Sequence, residues 1–227
     1  MIPLHDSIPS RTVPVVNYLL IMANVVIFLF ELSLGHHLQK FIAATAFIPA
    51  AFTMSVYQDN VTLSTFTPVF VSMFLHGGWF HLGGNMLFLW IFGDNVEDSM
   101  GHFRYLIFYL LSGVGATAIY YIVNPISQEP IIGASGAIAG VLGAYFLLYP
   151  WSRVLTWFPM FIFFVIEIPA VVFLGIWFVL QMYSGLLSLE TGTAGGVAWW
   201  AHVGGFVVGG TLVGFFKKRG YYFFWQQ

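Results

Sequence analysis

The chain has 227 residues, 59% hydrophobic and 19% aromatic but only 7% charged. Soluble domains carry about a quarter charged residues, so seven basic and nine acidic side chains cannot coat a globule this size, and most of its surface must face lipid. A net charge of −2 gives no sign of a nucleic-acid partner, and the absence of cysteine excludes disulfides, a thiol nucleophile and thiolate metal sites.

Residues 1–12 form a short tail with no A-x-A-like site after a brief apolar run, so insertion is expected to begin at the first membrane helix. A membrane span needs roughly 20 apolar residues, fewer where an end is buried in protein. Such runs fall at about 13–35, 79–96, 103–123, 135–150, 160–184 and 197–216. They predict an all-α bundle of six spans in a single domain covering 1–227, with no repeat or low-complexity tract. The long connection 36–78 carries Phe41, Phe47, Phe52, Tyr57, Phe66 and Phe70, and reads as interfacial structure rather than linker. Six spans put both termini on one side, together with Arg11, Arg104, Arg153, Lys217, Lys218 and Arg219, and leave only Lys40 opposite. By the positive-inside rule both termini are cytoplasmic and the first loop is external.

Three clusters carry chemistry. The first is His76, His81 and Asn85, at the start of the second span. His81 and Asn85 are four apart and share a helical face, where two neutral donors suit an oxyanion hole. His76 and His81 lie about 140° apart round a helix and cannot clamp a metal as an i, i+4 pair would. The alternative reading, which suits His76, is a polar knot anchoring the first loop. The second cluster is Gly133-Ala134-Ser135-Gly136, followed by Ala139, Gly140, Gly143 and Ala144 at helical spacing. Glycines on either side of Ser135 let its backbone N–H point freely from a helix N-terminus, where the dipole favours a developing oxyanion. A Gly/Ser packing helix is the alternative. The third is His202, an intramembrane ionisable residue and so a functional candidate, with Gly205 and Gly209 on its face. Here the alternative is a neutral histidine bridging two helices. At about 1.5 Å per residue, Ser135, His202 and His81 stand about 20–22 Å above the cytoplasmic ends of their spans. That puts all three roughly 8–10 Å below the outer surface of a core about 30 Å thick. One shared site explains the coincidence.

HGGWFHLGGN, GASG and AHVGGFVVGG, in this order and on these spans, resemble the rhomboid family over nearly the whole chain. The resemblance implies an intramembrane serine endopeptidase with Ser135 as nucleophile and His202 as general base. The Ser135 N–H, His81 and Asn85 would form the oxyanion hole, and His76 would be structural. Glu97, Gly101 and Arg104 resemble the family's structural signature after the second span. Trp177 and Phe178 resemble the aromatic pair on the fifth span that forms a lateral gate with the second. Two departures stand out. Ala139 occupies the place where some rhomboids stack an aromatic on the base histidine, so another span must fix the imidazole, and the first loop lacks a Trp-Arg pair.

No orienting carboxylate is evident, since Glu31 and Glu167 lie near span ends and Asp94, Glu97 and Asp98 are cytoplasmic, so a Ser-His dyad is expected. Residues 185–198 are expected to form a loop able to cap a water-filled cavity. The partners expected are transmembrane protein substrates and the lipid bilayer, with no cofactor, metal or nucleic acid; no oligomeric state is assigned. The setting expected is a prokaryotic plasma membrane. Two rivals remain: a catalytically silent relative that binds membrane helices, and a transporter with His76, His81 and His202 on a proton or metal path, which would require inverted repeats.

Overall fold

The computed structural model describes residues 1–159, 164–191 and 198–221. In chain order the helices are α1 (Val15–Ser33), α2 (Leu38–Thr45), α3 (Pro49–Tyr57), α4 (Thr67–Ser72), α5 (Trp79–Met100), α6 (His102–Val123), α7 (Ser135–Leu148), α8 (Ala170–Thr191) and α9 (Trp199–Phe216). The strands are β1 (Ile2–Asp6), β2 (Arg153–Trp157) and β3 (Val165–Pro169). Among the described residues four helices are long and apolar enough to cross a membrane: α1, α6, α8 from Ala170 to Leu189, and α9. Helices dominate because lipid offers no partner to a free backbone N–H or C=O. Helix α5 has the length, but its last turns carry Asp94, Glu97 and Asp98. The short α7 is buried at every residue from Gly136 to Tyr145 and forms the centre of the molecule.

Glycine lets α7 and α9 meet backbone to backbone. A Cβ at Gly205 would collide with the carbonyl oxygen of Gly136, and one at Gly209 with the backbone of Gly140. In an apolar solvent such close packing is what drives helix association. The charged end of α5 is spent on the start of α1. There the Glu97 carboxylate accepts from Val16 N–H (3.0 Å) and Asn17 N–H (2.7 Å), and Asp98 accepts from Thr12 N–H (3.0 Å). The N–H groups of Val16 and Asn17 are donors that the N-terminus of α1 leaves without partners of its own. The Lys218 ammonium donates to the Asp98 carbonyl (3.0 Å) at the same end of the bundle.

Three details differ from the sequence expectation. The fold is mostly helical, consistent with the expected all-α membrane bundle, and adds one element not expected: the tail residues 2–6 form an antiparallel three-stranded sheet, order β1-β2-β3, with the segments after α7. Ile2 pairs with Trp157 and Val154 with Ile168. The expected fifth span, 160–184, contains β3 followed by α8. The β-branched run Val165-Ile166-Glu167-Ile168 favours a strand, and Pro169, which lacks an N–H, marks the boundary before α8. Residues 160–163 of that expected span lie outside the described residues. The expected loop 185–198 is helical to Thr191, with 192–197 outside the described residues.

The long first loop is ordered, as its rings suggest. Phe47 pairs with Ile131, whose N–H donates to its carbonyl (2.9 Å), and Ala50 N–H donates to Ser127 O (2.9 Å). Rings of Phe47, Phe52, Phe66 and Tyr121 pack edge to face around this joint. The first loop is thereby fastened to the segment that leads into α7.

Candidate active site

Ser135 is the first residue of α7, so its N–H is among the orphan donors of a helix N-terminus. The turn before it is held by Gly133, whose φ of +121° is readily adopted only by glycine and whose N–H donates to Ser72 O (2.9 Å). A side chain at Gly133 would also strike His81 Nε2, 2.6 Å away. His202, on α9, reaches across the close α7–α9 contact. Its Nε2 lies 2.8 Å from Ser135 Oγ, within the reach of proton transfer. Its Nδ1 lies 2.7 Å from Gln181 Oε1 on α8. The rings of Trp177 and Trp199 flank the imidazole at 6.0 and 6.2 Å between centroids.

The HGGWFHLGGN segment supplies the opposite wall. Gly77 N–H donates to His81 Nδ1 (3.3 Å), so in the neutral ring Nε2 carries the proton, beside Gly133. His76 is buried behind this wall. Its Nδ1–H donates to Phe74 O (3.2 Å), its Nε2 accepts from Asn85 Nδ2 (3.0 Å), and its backbone N–H donates to the Glu31 carboxylate (3.1 Å). Among the described residues the Asn85 amide nitrogen has no other partner, which leaves its second proton for the cavity it lines. Ser135, His202, His81 and Asn85 all line a cavity of about 510 Å³, floored by small residues such as Gly113 and Ala137. The four side chains thus face a single chamber.

A family model described as the Rhomboid domain matches residues 63–219, well over half of the chain. The chain belongs to the rhomboid family. It is 29% identical to "Rhomboid protein 1, mitochondrial" of Saccharomyces cerevisiae over 176 residues, 73% of this chain and 45% of that protein. To "Presenilin-associated rhomboid-like protein, mitochondrial" of Bos taurus it is 34% identical over 100 residues, 43% of this chain and 26% of the relative. To "Rhomboid-like protein 11, chloroplastic" of Arabidopsis thaliana it is 38% identical over 85 residues, 36% and 30% of the two chains. This rhomboid spans less than half the length of these relatives. Their names place those proteins in mitochondria and chloroplasts, which does not match the prokaryotic plasma membrane expected from sequence. The apolar helices make this rhomboid a multi-pass membrane protein.

A crevice of about 250 Å³ also reaches Ser135 and His202 between α5 and α8, with Phe88, Trp177 and Gln181 on its walls. The ring contacts of Trp177 and Phe178 run to α9: Trp177 to His202 and Phe206, Phe178 to Phe206 at 4.7 Å. Among the described residues, the α8 ring in contact with α5 rings is Phe173, fully buried against Phe88 (6.3 Å) and Phe92 (6.2 Å). Sequence reasoning passed over Gln181 and gave Glu31 no role. The signal for Gln181 was available: it is the one amide in the apolar stretch of α8, four residues after Trp177.

Proposed function

We propose that this rhomboid is an intramembrane serine endopeptidase that cleaves transmembrane segments of membrane proteins. The observation that carries the reading is the 2.8 Å approach of Ser135 Oγ to His202 Nε2 inside a cavity that also exposes His81 and Asn85. A serine hydroxyl is a weak nucleophile until a base takes its proton. His202 removes it as Oγ attacks the scissile carbonyl, and returns it to the leaving nitrogen as the peptide bond breaks. Water, deprotonated by the same imidazole, then releases the acyl group. The oxyanion of each tetrahedral intermediate is met by Ser135 N–H, His81 Nε2–H and the free amide proton of Asn85, donors fixed before the charge develops.

In this reading α5 and α7 join the four long apolar helices as spans of one six-span domain. Its cytoplasmic face holds both termini, the β-sheet and the basic residues Arg11, Arg153 and Lys218. The shortness of α7, about 21 Å, sinks Ser135 below the opposite surface. The crevice between α5 and α8 is the side entrance for a substrate helix, which must unwind locally to free its carbonyls. A fluorophosphonate probe on the detergent-purified protein is expected to label Ser135 and to lose that labelling in His202→Ala. Labelling at another serine, or undiminished labelling without His202, would refute the dyad.

A further inference from the structure

A neutral imidazole has two tautomers, and only the one protonated at Nδ1 can take a serine proton at Nε2. In triads a buried carboxylate at Nδ1 selects that tautomer. Among the described residues no carboxylate hydrogen-bonds His202; the group at Nδ1 is the Gln181 amide, Oε1 at 2.7 Å. We propose that Gln181 is a positioning residue, whose amide oxygen holds the Nδ1 proton of His202 and so presents Nε2 as the acceptor for Ser135. This rests on the endopeptidase reading for its consequence, though not for its geometry.

Three features support it. Gln181 is only 9% exposed and sits in an apolar helix, where an unpartnered amide is unfavourable; the bond to His202 supplies its partner. The helical stripe Phe173, Trp177, Gln181 and Gly185, at steps of four, turns one face of α8 toward the site. Each member is fixed there: Phe173 on α5, Trp177 beside the imidazole, and Gly185, whose carbonyl accepts from Trp200 Nε1 (3.2 Å). The amide is therefore held between anchored turns, and one span supplies both a ring wall and an acceptor, the two functions that Ala139 cannot provide. Finally, an amide does this without placing a net charge within the bilayer, where a carboxylate is disfavoured. The opposite amide orientation would donate to Nδ1, move the ring proton to Nε2 and leave no base for Ser135.

The test is a tautomer measurement joined to a labelling rate. In ¹⁵N-histidine-labelled protein in detergent, with the His202 signals assigned by their loss in His202→Gln, wild type is expected to carry its proton on Nδ1. Gln181→Met is expected to lose that preference and to slow fluorophosphonate labelling of Ser135 by about 10–100-fold, the value of a hydrogen bond to a group that becomes charged. Gln181→Glu, which keeps an acceptor oxygen at the same reach, is expected to restore the Nδ1 tautomer and most of the rate. Should Gln181→Met fail to purify, Gln181→Asn, one methylene too short, takes its place. An unchanged tautomer and unchanged labelling in Gln181→Met would overturn the proposal. A wild type that never labels at Ser135 would refute the endopeptidase reading instead, while the tautomer still decides for or against Gln181.

Discussion

His76 never enters the cavity, yet both of its ring nitrogens and its backbone N–H are engaged, and Asn85 depends on it for an acceptor. His76→Ala is expected to lower thermal stability, since each buried polar group left without a partner costs about 1–3 kcal/mol, and to retain more turnover than Ser135→Ala. A melt unchanged by His76→Ala, beside lost turnover, would move it into the catalytic machinery. At the opposite end Asp6 is 4% exposed and accepts from Tyr145 Oη, which also meets Ser152 Oγ at 2.7 Å. Burial pushes the Asp6 carboxyl up from 3.8 to about 6, reinforced by Asp94 and opposed by the Tyr145 hydrogen bond and His5. The unfolded chain then ionises first, so ionisation of Asp6 favours unfolding between about pH 4 and 6 and adds nothing further above that. The melting temperature of wild type relative to Asp6→Asn is expected to fall across this window and to stay level above it. A relative melting temperature that rises with pH there would mean that Asp6 is stabilised as its anion.

Among the elements, α8 would join access to chemistry in the proposed endopeptidase. Its Phe173 closes on α5, while Trp177, one turn along, stands beside His202. The two rings should therefore respond differently. Phe173→Ala removes a buried ring, a change that costs about 3–5 kcal/mol in packed cores, and loosens the α5–α8 seam. It is expected to lower the melting temperature, speed cleavage of a transmembrane substrate where opening limits turnover, and leave a small soluble ester unaffected. Trp177→Ala is expected to slow both substrates, because it unsettles the imidazole. Equal acceleration of both substrates by Phe173→Ala would show that it acts on the dyad rather than on entry.

For the molecule as a whole, the features legible in sequence were those with a period or a depth. Glycines four apart marked the α7–α9 contact, and helical rise grouped Ser135, His202 and His81, which line one cavity. The sheet escaped because β1 is five residues inside a polar tail and gains its partners only when β2 arrives some 150 positions later. The run ending in α8 reads as one apolar stretch whether it is helix throughout or strand and then helix; pairing of β3 with β2 decides. Gln181 went unnoticed because a search for carboxylates does not find an amide, and Glu31 because its partner is a backbone N–H 45 residues away. In the proposed function, one chamber within the membrane domain cuts membrane helices. The most direct measurement of this is incubation of the purified protein in liposomes with a model transmembrane substrate, with the products mapped by mass spectrometry beside a Ser135→Ala control. Wild type is expected to give a single cut within or at the edge of the transmembrane segment, and Ser135→Ala none. An intact substrate with wild type, or the same cut with Ser135→Ala, would contradict it.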